Sequence, residues 1–185
     1  RMNVILDIKT DGFNPTVVHC IVAKDIDTNV VTVFDYSNMY SFKNWSKGVD
    51  KFIMHNGLSF DAPVLNRLLD AEILPGNIVD TLILSQLFNP IREKGHSLKA
   101  WGEKLNMLKG GEGVNFSKYN QAMLDYCKQD VEITHAVYKE LLKESKGFTK
   151  ESIDLEHDIR LIIDQQEKNG FAFNIQKAQE LLAKL

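Results

Sequence analysis

The chain has two cysteines among its 185 residues, Cys20 and Cys127. They give neither a metal spacing nor a disulfide framework, which excludes a zinc knot and a cystine-stapled secreted fold. Cys20 lies in an apolar strand-like run and Cys127 follows Tyr126 on an expected helix; both are expected to be free buried thiols in a reducing cytosol. Long apolar stretches are missing too. None approaches the ~18 residues that cross a bilayer, so no membrane partner is expected. Positive charge is not in excess either: 22 Lys and Arg against 25 Asp and Glu leave −3. That is not the footprint of a protein that grips duplex DNA. The N-terminus enters a strand-like run almost at once, so no secretory leader is expected.

What is there is an ordinary globular composition, 44% apolar and 25% charged, at a length suited to one domain with a short piece of a second. Met2 to Asp7, His19 to Asp25 and Val30 to Asp35 read as strands. The last two are joined by the turn Asp27-Thr28-Asn29. Lys51 to His55 reads as a fourth strand ending at the Asn56-Gly57 turn, and Val79 belongs to a short fifth. Helices are expected from Asp61, after the cap Asp80, after the cap Ser97 (Leu98 to Leu105), from Ser117, and from Val131 to Lys143. A boundary is expected at Lys146-Gly147. Beyond it come a long amphipathic helix from Ser152 to Asn169 with Gly170 as its C-cap, then a last helix capped by Asn174. Strands first, then mixed strands and helices, point to an α/β fold with a mixed central sheet.

Three short segments carry the chemistry. They are Leu6-Asp7-Ile8-Lys9-Thr10, His55-Asn56-Gly57-Leu58-Ser59-Phe60-Asp61 and Tyr126-Cys127-Lys128-Gln129-Asp130. If the fold gathers Asp7, Asp61 and Asp130, three hard oxygen ligands can hold a pair of divalent cations. That equips a site for in-line displacement at a phosphodiester. Tyr126 and Asp130, four residues apart, share one helix face. The plainer alternatives are a strand-end cap for Asp7, an N-cap for Asp61 and a half-buried packing role for Tyr126.

These segments resemble the motifs of the DEDD exonuclease superfamily, in the branch with tyrosine in its third motif. Gly95-His96-Ser97-Leu98-Lys99-Ala100-Trp101-Gly102, Val79-Asp80-Thr81-Leu82 and Asn115-Phe116 before Asp125-Tyr126 make the chain similar to the N-terminal 3′→5′ proofreading domain of phage-type family A DNA polymerases. The resemblance implies a ribonuclease-H-like fold with a mixed five-stranded sheet flanked by helices. The exonuclease domain is then residues 1–147, with 148–185 a helical linker and the start of a truncated polymerase region. It also implies two Mg²⁺ or Mn²⁺ ions on Asp7, Asp61 and Asp130, and Tyr126 as the group that orients the attacking water. Separately, Thr10 and Asn56 are candidates to hold the terminal nucleotide and its phosphate, and Phe60 is placed either to pack on a base or sugar or to fill the core. The implied partners are a single-stranded 3′ end of DNA and the polymerase region in cis, in the cytoplasm of the host if phage-encoded. His96 and Trp101 are expected to support the helix beside the cleft, and Lys99, Lys104 and Lys109 to form a solvated basic face.

One position departs from the family. Its first motif reads Asp-Ile-Glu-Thr, with the glutamate a metal ligand, whereas here Lys9 stands in that place. At about 4 Å and an effective dielectric near 20, one unit-charge pair is worth roughly 4 kcal/mol. Exchanging minus for plus is expected to weaken metal binding and reduce hydrolysis, with the ammonium free to snorkel into water. The alternatives are a catalytically silent DNA-binding module and a free-standing exoribonuclease of the same superfamily.

Overall fold

The computed structural model describes residues 1–107, 110–111 and 113–184. Lys109 lies outside the described residues. Five strands, β1 (Met2–Thr10), β2 (Val18–Asp25), β3 (Val31–Phe34), β4 (Val49–Met54) and β5 (Ile78–Asp80), form one sheet in the order β3-β2-β1-β4-β5. β2 pairs antiparallel with β1 and β3, while β4 pairs parallel with β1 and β5, so the sheet is mixed as expected. Among the described residues seven α-helices accompany it: α1 (Phe42–Ser46), α2 (Asp61–Leu69), α3 (Thr81–Phe88), α4 (Leu98–Lys104), α5 (Gln121–Glu144), α6 (Lys150–Asn169) and α7 (Ile175–Leu182). No helix among the described residues is long and apolar enough to cross a membrane.

The period of two along β1 decides what the site is made of. Val4, Leu6 and Ile8 point to one face and join Phe42, Ala62 and Leu65 of α1 and α2 in the main core. Ile5 points to the other, where it packs with Cys20, Val22 and the Met123, Leu124, Cys127 and Val131 side of α5. Asp7 and Lys9 continue that second row. Both carry their charge towards α5 rather than towards water.

Two helices expected between Ser117 and Lys143 are one. Asn120, not Ser117, is the N-cap and accepts from the Met123 amide at 2.9 Å. α5 then runs unbroken for 24 residues. Its second buried row, Ile133, Val137 and Leu141, packs on Leu84, Leu98 and Trp101 of α3 and α4. Asp130 sits between the two rows, 2% exposed, so it is an interior helix residue rather than a helix start. Ser97, Asp80 and Asn174 cap their helices as expected, whereas Thr149 rather than Ser152 sets the start of α6.

α6 is fastened to the body carrying the sheet. His157 Nε2 accepts from the Asp80 amide at 3.0 Å, which leaves Nδ1 as the protonated nitrogen donating to the Ile153 carbonyl at 2.8 Å. Arg160 Nε donates to Ser59 Oγ at 2.9 Å, and Leu161 packs against the main core.

The end of α5 is held by charge. Arg92 forks onto both oxygens of Glu144, while its guanidinium and the Lys104 ammonium lie 4.4 and 4.5 Å from the Trp101 ring centroid. Hydrogen bonding from Arg92, with the charges of Arg92 and Lys104, lowers the Glu144 pKa. A carboxylate whose folded pKa is depressed stabilises the fold above its unfolded pKa, and that stability is lost as pH falls through the folded value. Melting curves from pH 6 to pH 3 are therefore expected to show Glu144→Gln less stable than the parent near pH 6. The gap should close towards pH 3, and a gap independent of pH would count against the pair.

Candidate active site

The C-terminal half of β1, the turn after β4 and the middle of α5 meet at one place. Lys9 Nζ donates to Asp7 Oδ2 at 2.5 Å and to Asp130 Oδ2 at 2.8 Å. Lys9 is 8% exposed, so the expected escape of its head into water does not occur. Its row on β1 faces α5, and the two carboxylates there are better partners than a long path to solvent. The ammonium also lies 4.3 Å from the Tyr126 ring centroid, a cation–π contact strengthened by desolvation. Burial works to lower the Lys9 pKa, but Asp7 and Asp130 outweigh it and hold it well above its usual value. The residue is charged at any working pH.

Cys127, one residue after Tyr126, donates its thiol to Asp7 Oδ2 at 3.2 Å and to the Asp7 carbonyl at 3.4 Å. Burial, followed by the neighbouring Cys20 and the Asp7 charge, pushes the thiol pKa up. Cys127 is therefore a neutral donor. Both thiols are free and buried, as expected.

Asp61 is the first residue of α2 rather than its N-cap. It is 6% exposed, and burial together with the nearby charges of Asp7 and Asp80 pushes its pKa well up, against the pull of Lys9. The charge of Asp7 is thus felt at Asp61. Even so, no group of three His, Cys, Asp or Glu side chains among the described residues is drawn together tightly enough for a metal ion. The expected three-carboxylate cage differs from what is present: Asp7 and Asp130 are joined through an ammonium that takes the space between them. With Lys9 in place, the donor set does not fit a divalent ion.

The turn carrying Asn56 is held from outside the three motifs. Asp80, expected only as a helix cap, accepts from the Asn56 and Leu82 amides on Oδ1, both at 2.9 Å, and from the Leu58 amide on Oδ2 at 3.0 Å. Burial raises its pKa although these three amides pull it down. Asn56 has φ +64°, a left-handed conformation that asparagine tolerates better than most residues. Of the other expected nucleotide-holding residues, Thr10 donates its hydroxyl to the Gly12 carbonyl at 2.9 Å, and Phe60 is half-buried on the rim.

A cleft of about 500 Å³ opens onto this ammonium, lined by Lys9, Thr10, Phe13, Phe60, Phe116 and Tyr126. Phe13 is 96% exposed, and Phe116 stands edge-on to Tyr126 with ring centroids 6.5 Å apart. Phe13 escaped the sequence reading; the signal was a lone aromatic three residues after Thr10, in a turn with no apolar periodicity to explain it. A second hollow of about 550 Å³ shares Phe13 and Phe60 and continues past Ser59 to Arg67 and Lys168.

Gly111 backs Tyr126 from outside. Its φ is +97°, and a Cβ there would fall 2.7 to 2.9 Å from three ring carbons of Tyr126. Gly113, at φ +77°, has open space around it. Gly111→Ala is expected to destabilise the fold by about 1–3 kcal/mol through backbone strain alone, with ring displacement added. Gly113→Ala should show the strain only. Equal shifts of the urea midpoint in the two variants would count against close packing behind Tyr126.

No family model matches the chain. By sequence it is similar to the DNA-directed DNA polymerase of Escherichia phage T7, 29% identical over a 190-residue alignment covering 72% of this chain. The chain spans about 27% of that relative's length. By fold it is similar to Brucella melitensis NrnC, solved bound to pGG, with TM-score 0.64, 18% identity, and coverage of 90% of this chain and 83% of that one. It is also similar to Escherichia coli RNase D, an exoribonuclease, with TM-score 0.62, 17% identity, and coverage of 92% and 46%. Sequence likeness and fold agree: the chain is similar in sequence to a phage DNA polymerase and has the ribonuclease-H-like fold shared by NrnC and RNase D.

Proposed function

We propose that this chain is the 3′→5′ exonuclease domain of a DNA-directed DNA polymerase, that it receives frayed single-stranded 3′ ends of DNA, and that Lys9 keeps its hydrolysis low. The observation that carries this reading is the meeting of Asp7, Asp130 and Tyr126 around Lys9, which bridges the carboxylates and, with Tyr126, lines an aromatic cleft. Base stacking on such aromatics contributes roughly 1–3 kcal/mol per base and reads no sequence. Phe13, Phe60 and Phe116 suit it, and Arg67 and Lys168 supply cations where the preceding phosphates would lie. Selection of mispaired ends then comes from their easier unpairing rather than from base readout.

In this reading Asp7, Asp61 and Asp130 are the residues that would hold two Mg²⁺ or Mn²⁺ ions once position 9 is an acid. Residues 148–185 lead into the polymerase region in cis, acting with it in a host cytoplasm. The exposed Leu155, Ile162, Phe171, Phe173 and Leu182 of this segment are apolar surface that such a region would cover.

A second reading, a silent end-binding module, is favoured by the depth of Lys9. A third, a free-standing exoribonuclease, draws on the likeness to RNase D. End-labelled DNA and RNA oligonucleotides of one sequence, incubated with Mg²⁺, separate the three. Slow 3′ trimming of DNA to monophosphates supports the first reading. Binding without trimming, unchanged in Lys9→Glu, supports the second, and faster trimming of RNA supports the third. Failure to bind either strand would sink all three.

A further inference from the structure

Two carboxylates facing each other across a buried gap repel unless a cation lies between them. Here β1 delivers Asp7 and α5 delivers Asp130, with Lys9 Nζ at 2.5 and 2.8 Å from one oxygen of each. The Lys9 and Asp130 side chains are 9% and 2% exposed, so water screens the pair little. An ammonium is a compact point charge with three donors, and the Tyr126 ring at 4.3 Å covers another side of it. The stem needs no detour, since Lys9 stands two residues after Asp7 on the same face of β1. A cation of this kind cannot dissociate and is indifferent to chelators.

We propose that the Lys9 ammonium takes the structural place of a divalent ion, so that the site keeps its shape without metal and accepts the 3′-terminal phosphodiester of a single strand without metal. The second half rests on the end-binding reading above; the first does not. Relative to a glutamate at position 9, the lysine makes the floor of the cleft two charges more positive. A phosphate therefore meets less repulsion in the absence of metal.

The test compares the chain with Lys9→Glu and with Lys9→Met, which keeps the length of the stem and removes the charge. In EDTA the chain is expected to melt at the same temperature as in 1 mM Mn²⁺ and to show no bound Mn²⁺ by electron paramagnetic resonance. Both variants are expected to melt roughly 5–15 °C lower in EDTA, the usual scale for stranding one side of a buried ion pair in a domain of this size. Lys9→Glu is expected to regain stability with Mn²⁺ and to bind it measurably. A fluorescent single-stranded oligonucleotide should bind the chain equally with EDTA and with Mn²⁺. Lys9→Glu should bind it at least about tenfold more weakly in EDTA, a small electrostatic change on the affinity scale.

Stabilisation of the unmodified chain by Mn²⁺, Lys9→Met melting with the parent in EDTA, or oligonucleotide binding by the chain that requires Mn²⁺ would each overturn the tethered cation. Failure of all three proteins to bind the oligonucleotide under any condition would instead overturn the end-binding reading. The melting and resonance results would then still decide the first half.

Discussion

Lys9→Glu is expected to raise the Mg²⁺-dependent release of nucleoside monophosphates from a single-stranded DNA oligonucleotide by roughly 10²–10³-fold. The size follows from the charge exchanged. An ion pair at about 4 Å in a partly screened site is worth roughly 4 kcal/mol, and each ~1.4 kcal/mol is a factor of ten in rate. The variant removes an ammonium that engages Asp7 and Asp130 and puts a carboxylate beside them. Cleavage of 5′-labelled oligonucleotide over a Mg²⁺ series measures it, with Lys9→Gln as the companion that removes charge without adding a ligand. Glutamine should recover far less than glutamate. Equal inertness of all three proteins would favour the silent module.

Asp80→Ala is expected to lower stability by about 2–4 kcal/mol and to abolish oligonucleotide binding more completely than its distance from the cleft suggests. Alanine leaves the Asn56, Leu58 and Leu82 amides without their acceptor. Stranding a buried N–H costs about 1–3 kcal/mol, and losing a helix cap about 1 kcal/mol. Burial already works against the charge of Asp80, so its removal relieves part of that loss. Asp80→Asn keeps one oxygen for Asn56 and Leu82 but sets an amide against the Leu58 N–H, and should fall between. The check is a denaturant midpoint with unchanged slope, followed by affinity for a fluorescent oligonucleotide under conditions where the variant is fully folded. If Asp80→Ala binds as the parent does, Asp80 is only a cap and does not position the Asn56 turn.

The strands and most caps were legible because each rests on local chemistry. The apolar run that opens β1, the Asn56-Gly57 turn, and Ser97, Asp80 and Asn174 before their helices all speak within a few residues. The undivided α5 was not legible. It buries two rows, the Cys127 row and the Ile133 row, with Asp130 between them, and a charged residue there reads as a break unless its partner is known. That partner is Lys9, 121 residues away in sequence. The same distance hid the direction in which Lys9 points. Period two puts it on the face of Asp7, yet whether that face meets water or a helix depends on how α5 crosses the sheet. Phe13 and the three amides on Asp80 were hidden likewise, since neither a loop aromatic nor a long-range acceptor leaves a periodic trace.

The Asp80 peptide unit faces two ways: its carboxylate holds the Asn56 turn, and its N–H is held by His157 of α6. With Arg160 bound to Ser59, α6 is tied at a second point, beside the hollow that adjoins the cleft. A shift of the 150–169 segment would therefore be felt at Asp80 and Ser59 through two hydrogen bonds, without passing through the strands.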